Sequence, residues 1–275
     1  YEHNVKGVKD DDLVTYPCPI YKEHIVIATP GRLTELFNRH IINGDEVISV
    51  ILDEADKMLS SHGFMDDVIS ILRKVKQNNQ LALYSATISH EIREISQKFL
   101  ENPVKILVPQ ENIITDNQSQ YVAQVTDEDK KCQVLEDIFK MDNVGQVIIF
   151  CNRKQKIEPI TEIVNNLGIS VTQIHGDMTQ PERDIAMKSF RNKECKVLVA
   201  TDVISRGIDT DVNLVVNFDL PRSQEDYVHR IGRTGRFGKY GQVVSIVTKE
   251  ELQKLKKIGS FYQAKLIPFS YYGSK

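Results

Sequence analysis

Short runs of aliphatic and β-branched residues alternate with longer amphipathic stretches along the whole chain, and this rhythm narrows the fold more than any other feature. The runs lie at 24–28 (HIVIA), 46–52 (EVISVIL) and 81–84 (LALY), then at 146–150 (QVIIF), 170–175 (SVTQIH), 196–201 (KVLVAT), 214–218 (LVVNF) and 242–247 (QVVSIV). They lack strict in–out alternation, as expected of strands covered on both faces in a parallel sheet. Helical patterns separate them at 33–39, 63–76, 89–100, 154–167, 180–191, 223–231 and 250–262. Ser89 is placed as an N-cap, with Glu91 and Glu94 near the positive end of the helix dipole. Strand–helix–strand succession predicts an α/β fold with right-handed crossovers and helices on both faces of parallel sheets.

The 275 residues leave room for two modest domains. The stretch PQENIITDNQS is polar and without apolar period. It predicts a first domain over 1–109, a linker over 110–119 and a second domain over 120–275. No apolar run approaches the roughly 18–20 residues a bilayer span needs, so no membrane partner is expected. The opening YEHNVKGVKDDD has no apolar h-region of a secretory signal. Cys18, Cys132, Cys151 and Cys195 stand far apart without a CxxC pair, which predicts reduced thiols in the cytoplasm or nucleus rather than disulfides or zinc. The formal net charge of −3 means that any polyanion site is a local patch.

In open parallel sheets, ligands bind beyond the carboxyl ends of the strands. The residues directly after the runs are therefore the ones to weigh. They are Thr29-Pro30-Gly31-Arg32, Asp53-Glu54-Ala55-Asp56, Ser85-Ala86-Thr87 and Thr201-Asp202, the last leading to Arg206-Gly207-Ile208-Asp209. Taken alone, the first three read as well as turns and acidic helix starts. Met58, Leu59 and Cys151 read as core, His40, His62 and His90 as surface, and Lys254, Lys256 and Lys257 as a solvated helix face. Arg230, Arg233 and Arg236 are harder to dismiss. They recur every three residues beside glycines, a pattern suited to bidentate capture of phosphates.

In order and spacing, TPGR at 29–32, DEAD at 53–56, SAT at 85–87, IIFCNR at 148–153, HGDMTQPER at 175–183, ATDVISRGID at 200–209 and HRIGRTGRFG at 229–238 resemble the DEAD-box ATP-dependent RNA helicases of superfamily 2. The closing stretches KFLENPVKILV and FYQAKLIPF look most like the translation-initiation subgroup, with export and decay helicases close by. The resemblance implies two RecA-like domains, ATP and Mg²⁺ as cofactors, and RNA, together with helicase cofactor proteins, as partners. It gives Asp53 the Mg²⁺, held through water, and Glu54 the attacking water. Arg233 and Arg236 become arginine fingers, Gly207 and Asp209 meet the nucleotide, and Asp56, Ser85, Thr87 and His229 couple hydrolysis to domain closure. Thr29, Gly31 and Arg32 in the first domain, and Gln180, Arg183, Thr201 and Arg206 in the second, contact the RNA backbone. The family's phosphate loop, GxxxxGK followed by Ser or Thr, occurs nowhere in the chain. The adenine-recognition glutamine motif and the PTRELA element are missing as well. The chain is therefore expected to begin just before TPGR, its first domain to be an incomplete layer with an apolar edge at 47–52, and its ATP turnover by itself to be inefficient. A catalytically inactive form that binds RNA or a helicase cofactor is the alternative.

Overall fold

The structure is a computed structural model. It describes residues 5–7, 23–60, 63–141, 144–202, 210–236 and 238–270, which divide into two compact units between Lys105 and Ile106. The stretch 110–119, read from sequence as a linker, falls in the second unit, where it holds a 3-10 turn over Gln110–Asn112 and the first residues of a strand.

The first unit runs β1 (Val5–Gly7), β2 (Ile25–Ile27), α1 (Pro30–Asn38), β3 (Ser49–Leu52), α2 (Ala55–Met58), α3 (Met65–Lys74), β4 (Gln80–Leu83) and α4 (His90–Ser96). Among the described residues its strands form two separate parallel pairs, β1–β2 and β3–β4, with Val5 opposite Ile25 and Ser49 opposite Gln80. Helix α1 starts on Pro30, whose fixed φ suits the first helical position. Ser89 does cap α4, its Oγ accepting the Ile92 N–H at 3.3 Å. Ala55, Leu59, Val68, Ile92 and Ile95 bury together where α2, α3 and α4 meet, and Phe37 packs on Ile71 and Val75. The other side of the strands stays open. Ile27 is 61%, Ile48 84% and Ile51 63% exposed, the last two within the apolar edge expected at 47–52.

The second unit contains β5 (Gln118–Gln124), α5 (Asp129–Phe139), β6 (Val147–Phe150), α6 (Ile157–Asn166), β7 (Val171–Ile174), α7 (Gln180–Arg191), β8 (Val197–Ala200), β9 (Leu214–Asn217), α8 (Gln224–Ile231), β10 (Gly241–Val247), α9 (Lys249–Phe261) and β11 (Leu266–Pro268). Among the described residues its seven strands are parallel, in the order β11-β5-β10-β9-β6-β8-β7. Successive side chains of the central strands point to opposite faces. Ile148, Phe150, Leu198, Ala200 and Val215 pack with Phe190 of α7, Tyr227 of α8 and Leu255 of α9. Val147, Ile149, Val197, Val199 and Val216 pack with Leu135 of α5 and Ile160 of α6. Each fully buried Val, Leu, Ile or Phe among them contributes roughly 1.5–3 kcal/mol.

Strand β5 was missed from the sequence because it reads QSQYVAQ, too polar for a buried strand. Its glutamines have internal partners instead. The Tyr227 hydroxyl donates to Gln120 Oε1 at 2.7 Å, and Gln118 Nε2 donates to the carbonyls of Ile231 at 3.0 Å and Thr234 at 2.5 Å. Burial raises the Tyr227 phenol well above the ordinary tyrosine value.

Candidate functional site

Strand β3 ends at Leu52 and the chain turns sharply into α2. Glu54 makes that turn in the left-handed region, at φ 51° and ψ 46°. A non-glycine residue there carries strain of about 1–3 kcal/mol and needs support from its surroundings. Several bonds supply it. Asp53 Oδ1 accepts the Glu54 N–H at 2.9 Å, and the Ala55 N–H donates to the Tyr84 carbonyl at 3.0 Å. The segment after β4 completes the support. Ser85 Oγ accepts the Asp56 N–H at 3.2 Å and donates to the Thr87 carbonyl at 2.7 Å, while the Thr87 hydroxyl donates to Asp56 Oδ2 at 2.7 Å. Asp56, Ser85 and Thr87 thus form one hydrogen-bonded ring across two strand ends, with Asp56 and Thr87 buried and Asp53 exposed beside it. Replacing Thr87 by valine removes the hydroxyl donor from Oδ2 of the buried Asp56 carboxylate and is expected to cost about 1–3 kcal/mol. Urea unfolding with a fluorophore in the first unit reads this, and an unchanged midpoint would refute it.

Thr29 occupies the N-cap position of α1 without making a side-chain cap bond. Its exposed side chain and the exposed Gly31 backbone stand at the helix N-terminus, and the Arg32 guanidinium is held by Glu35 at 2.5 Å.

In the second unit, the ends of β7 and β8 lie side by side, with Ile174 opposite Ala200. The next residues bring Thr201 and His175 there, and Arg183 of α7 joins them by donating Nη2 to the Gly176 carbonyl at 2.7 Å. Thr201 Oγ1, His175 Nδ1 and Arg183 Nε are buried yet have no hydrogen-bond partner among the described residues. Gln180, at the start of α7, donates to Asp184 at 2.9 Å. His175 was not singled out from sequence, although HGDMTQPER contains it; only the strand register sets it beside Thr201.

The arginine triplet divides. Arg233 and Arg236 each turn Nε back to a carbonyl four residues earlier, His229 at 3.2 Å and Gly232 at 2.6 Å. Arg230 departs from the expectation of phosphate capture. It is fully buried, and its Nε and Nη2 grip Asp202 at 2.6 and 2.8 Å. His229 lies in the last turn of α8. Arg206, Gly207 and Asp209 lie outside the described residues, as do Cys18 and His62.

Next to Arg230, a charge network caps the carboxyl edge of the sheet. Lys131, fully buried, meets Glu128 at 2.8 Å, Glu251 at 3.0 Å and Asp219 at 3.7 Å, and Lys156 meets Asp219 at 2.5 Å and Glu128 at 2.8 Å. Burial opposes the Lys156 charge, but its bonds to Asp219 and Glu128 outweigh that and raise its pKa above the ordinary lysine value. Burial likewise pushes Glu128 up, and bonds from Lys131 and Lys156 outweigh it and bring the carboxyl below the ordinary value. The raised lysine gives stability that is complete below its unfolded pKa and fades as pH climbs through the folded one. The lowered glutamate gives stability that is complete above its unfolded pKa and fades as pH falls through the folded one. The second unit is therefore expected to lose stability in acid below the ordinary glutamate range and in alkali above the ordinary lysine range, with Lys156→Met flattening the alkaline limb. Denaturant midpoints across pH test this, and identical alkaline limbs in parent and variant would count against it. Burial pushes the Cys151 thiol up to about 12, so it packs as an inert apolar group.

Comparison with known proteins gives this geometry a family. The chain matches the DEAD/DEAH box helicase family over residues 7–95 and the helicase conserved C-terminal domain over residues 130–238. It is 38% identical over 244 residues to eukaryotic initiation factor 4A of Caenorhabditis elegans, covering 88% of this chain and 60% of that protein. The chain spans about 60% of the length of the curated relatives it matches. Among solved structures, it resembles S. cerevisiae Dbp5 bound to RNA and ADP BeF3, with TM-score 0.89, 29% identity, and coverage of 97% of this chain and 70% of that one. A DEAD box protein from the hyperthermophile Methanococcus jannaschii is 32% identical with TM-score 0.54, covering 98% of this chain and 73% of that one. With a carboxylate turn locked to the SAT segment in one unit and HRIGRTGR at the end of α8 and the turn after it in the other, the chain belongs to the DEAD-box helicase family.

Proposed function

We propose that this chain works as an ATP-dependent RNA helicase, coupling ATP hydrolysis to RNA binding and local duplex unwinding. The observation that carries the RNA part is the trio of buried, unpartnered polar atoms, Thr201 Oγ1, His175 Nδ1 and Arg183 Nε, at one edge of the second sheet. Buried polar groups are nearly always paired, so a site that leaves three open is built for a ligand rich in hydrogen-bonding oxygens. A nucleic-acid backbone is such a ligand, and contacts to it position the strand without reading its sequence. Gln180 at the start of α7 extends that surface, the family resemblance adds Arg206 as a further RNA contact, and Thr29, Gly31 and Arg32 offer a second surface at the N-terminus of α1.

For the nucleotide, the exposed Asp53 carboxylate at the end of β3 suits Mg²⁺, a hard cation that takes oxygen ligands and keeps much of its water. When bound, Mg²⁺ neutralises phosphate charge. Glu54 orients the attacking water, Arg233 and Arg236 offset charge developing on the γ-phosphate, and Gly207 and Asp209 meet the nucleotide. Asp56, Ser85, Thr87 and His229 carry the coupling. The sequence contains no GxxxxGK loop to cradle the β- and γ-phosphates. This favours a second reading for the chain by itself, an RNA- or cofactor-binding module without turnover. The wide cysteine spacing supports a reducing compartment, the cytoplasm or nucleus.

Two assays test the proposal. Fluorescence anisotropy with labelled single-stranded oligouridylate is expected to show salt-dependent binding. The pair Arg183→Ala and Thr201→Val should weaken it at least tenfold, the arginine change lowering the salt slope by about 0.7. Binding unaffected by either substitution would remove the RNA site. Steady-state ATP hydrolysis with saturating RNA separates the two readings: RNA-stimulated turnover supports the helicase, and hydrolysis at background with RNA binding intact supports the second reading.

A further inference from the structure

We infer that Arg230 is a positioning residue, an internal clamp that locks the carboxyl ends of β6, β8 and β9 together and so holds Thr201 and the end of α8 in working register. The inference rests on the RNA reading of Thr201 given above. Its physical basis is that every nitrogen of this guanidinium is committed inside the protein. Nε and one Nη2 bond take both oxygens of Asp202, the residue after Thr201. Nη2 also donates to Asn152 Oδ1 at 2.7 Å, beyond the end of β6. Nη1 donates to the Asp219 carbonyl at 2.7 Å and reaches Asn217 Oδ1 at 3.5 Å, at the end of β9. The cation lies over the Phe150 ring, 5.3 Å from its centroid.

The acceptors are themselves fixed. The Asn152 N–H donates to Asp219 Oδ2 at 2.9 Å and its Nδ2 to the Leu220 carbonyl at 2.9 Å, which aims Oδ1 at Arg230. Asn217 Nδ2 donates to Ser245 Oγ at 3.1 Å. Three strand ends therefore converge on one planar fork. Lysine keeps the charge, but a single ammonium cannot bridge Asp202, Asn152 and the Asp219 carbonyl at once. Buried ion pairs add little net stability compared with apolar packing, and their best-attested use is to specify one arrangement among several. Arg230, fully buried and with its donors used, does not itself meet a phosphate. Its effect on RNA passes through the backbone it holds.

The test uses the whole chain carrying Arg230→Lys and, separately, Asp202→Asn, a near-isosteric change that keeps the fold if the lysine variant does not. Hydrogen exchange is expected to quicken at least tenfold at Thr201 and Asp202 in each variant, while amides in α6 stay within twofold of the parent. Oligouridylate affinity should fall at least tenfold with a reduced salt slope, a change that loss of stability by itself would not produce in a folded protein. The double variant should bind within twofold of the weaker single variant, because both break one clamp. Exchange at Thr201 and Asp202 within twofold of the parent, or multiplicative losses in the double variant, would overturn the clamp. A parent that does not bind oligouridylate sinks the RNA reading, and the exchange measurement still decides the clamp.

Discussion

Replacing Lys131 by methionine is expected to destabilise the second unit by about 3 kcal/mol, near the lower end of what removing one partner of a buried ion pair costs. Lys131 is fully buried, and Glu128, Glu251 and Asp219 all face its ammonium. Methionine fills much the same volume, so the loss is electrostatic rather than a cavity. It stops short of the upper end because the stranded acids keep other donors. Asp219 retains Lys156 and the Asn152 N–H, and Glu251 retains the Thr248 N–H at the start of α9. For a unit of this size, 3 kcal/mol corresponds to a fall of roughly 6–12 °C in midpoint by calorimetry. Glu251→Gln added to Lys131→Met should then cost less than Glu251→Gln alone, since the shared contact is gone. A midpoint unchanged by Lys131→Met would show that the network does not hold α5, α9 and the sheet edge together.

The second large effect is expected at Gly241, the first residue of β10. A Cβ there would sit 2.4 Å from the Gly235 nitrogen, 2.4 Å from Thr234 Oγ1 and 2.8 Å from Gly235 Cα. Two of these three atoms are backbone, so no rotamer change relieves the clash. The displaced turn is the one joining Arg233 to Arg236, and Thr234 anchors it with a hydroxyl bond to the Val212 carbonyl at 2.5 Å. Gly235 cannot yield freely, since it holds φ 74° and its own missing Cβ would meet Gln118 Cγ at 2.6 Å. Gly241→Ala is expected to cost about 1–3 kcal/mol, the usual range for overpacking, and to quicken hydrogen exchange selectively at 232–236. Wild-type exchange there, together with an unchanged midpoint, would refute the steric account.

How much of this was legible beforehand depended on whether the deciding interactions are local. Strands β6, β8 and β9 were readable because a strand buried on both faces needs an unbroken aliphatic run, and each carries one. Strand β5 was not, because the residues satisfying Gln118 and Gln120 lie more than a hundred positions away. The Asp56–Thr87 bond was anticipated only through the family's motif order; by itself, SAT is an ordinary turn. Asp219 gave no signal, being a single polar residue after a strand like many others, and Asn152 was marked only as part of IIFCNR, with no role attached.

The sequence alone determined the alternation of strands and helices, the two-part organisation and the motif set that marks the family, since each follows from residue type and spacing along the chain. Only the tertiary structure decided which member of the arginine triplet is structural. Arg230, Arg233 and Arg236 share one local pattern, but Arg230 lands against Asp202, 28 residues away, and Asn152, 78 residues away. A buried guanidinium is tolerated only where distant strands deliver a carboxylate and carbonyl oxygens to meet it, and spacing along one helix carries no record of that.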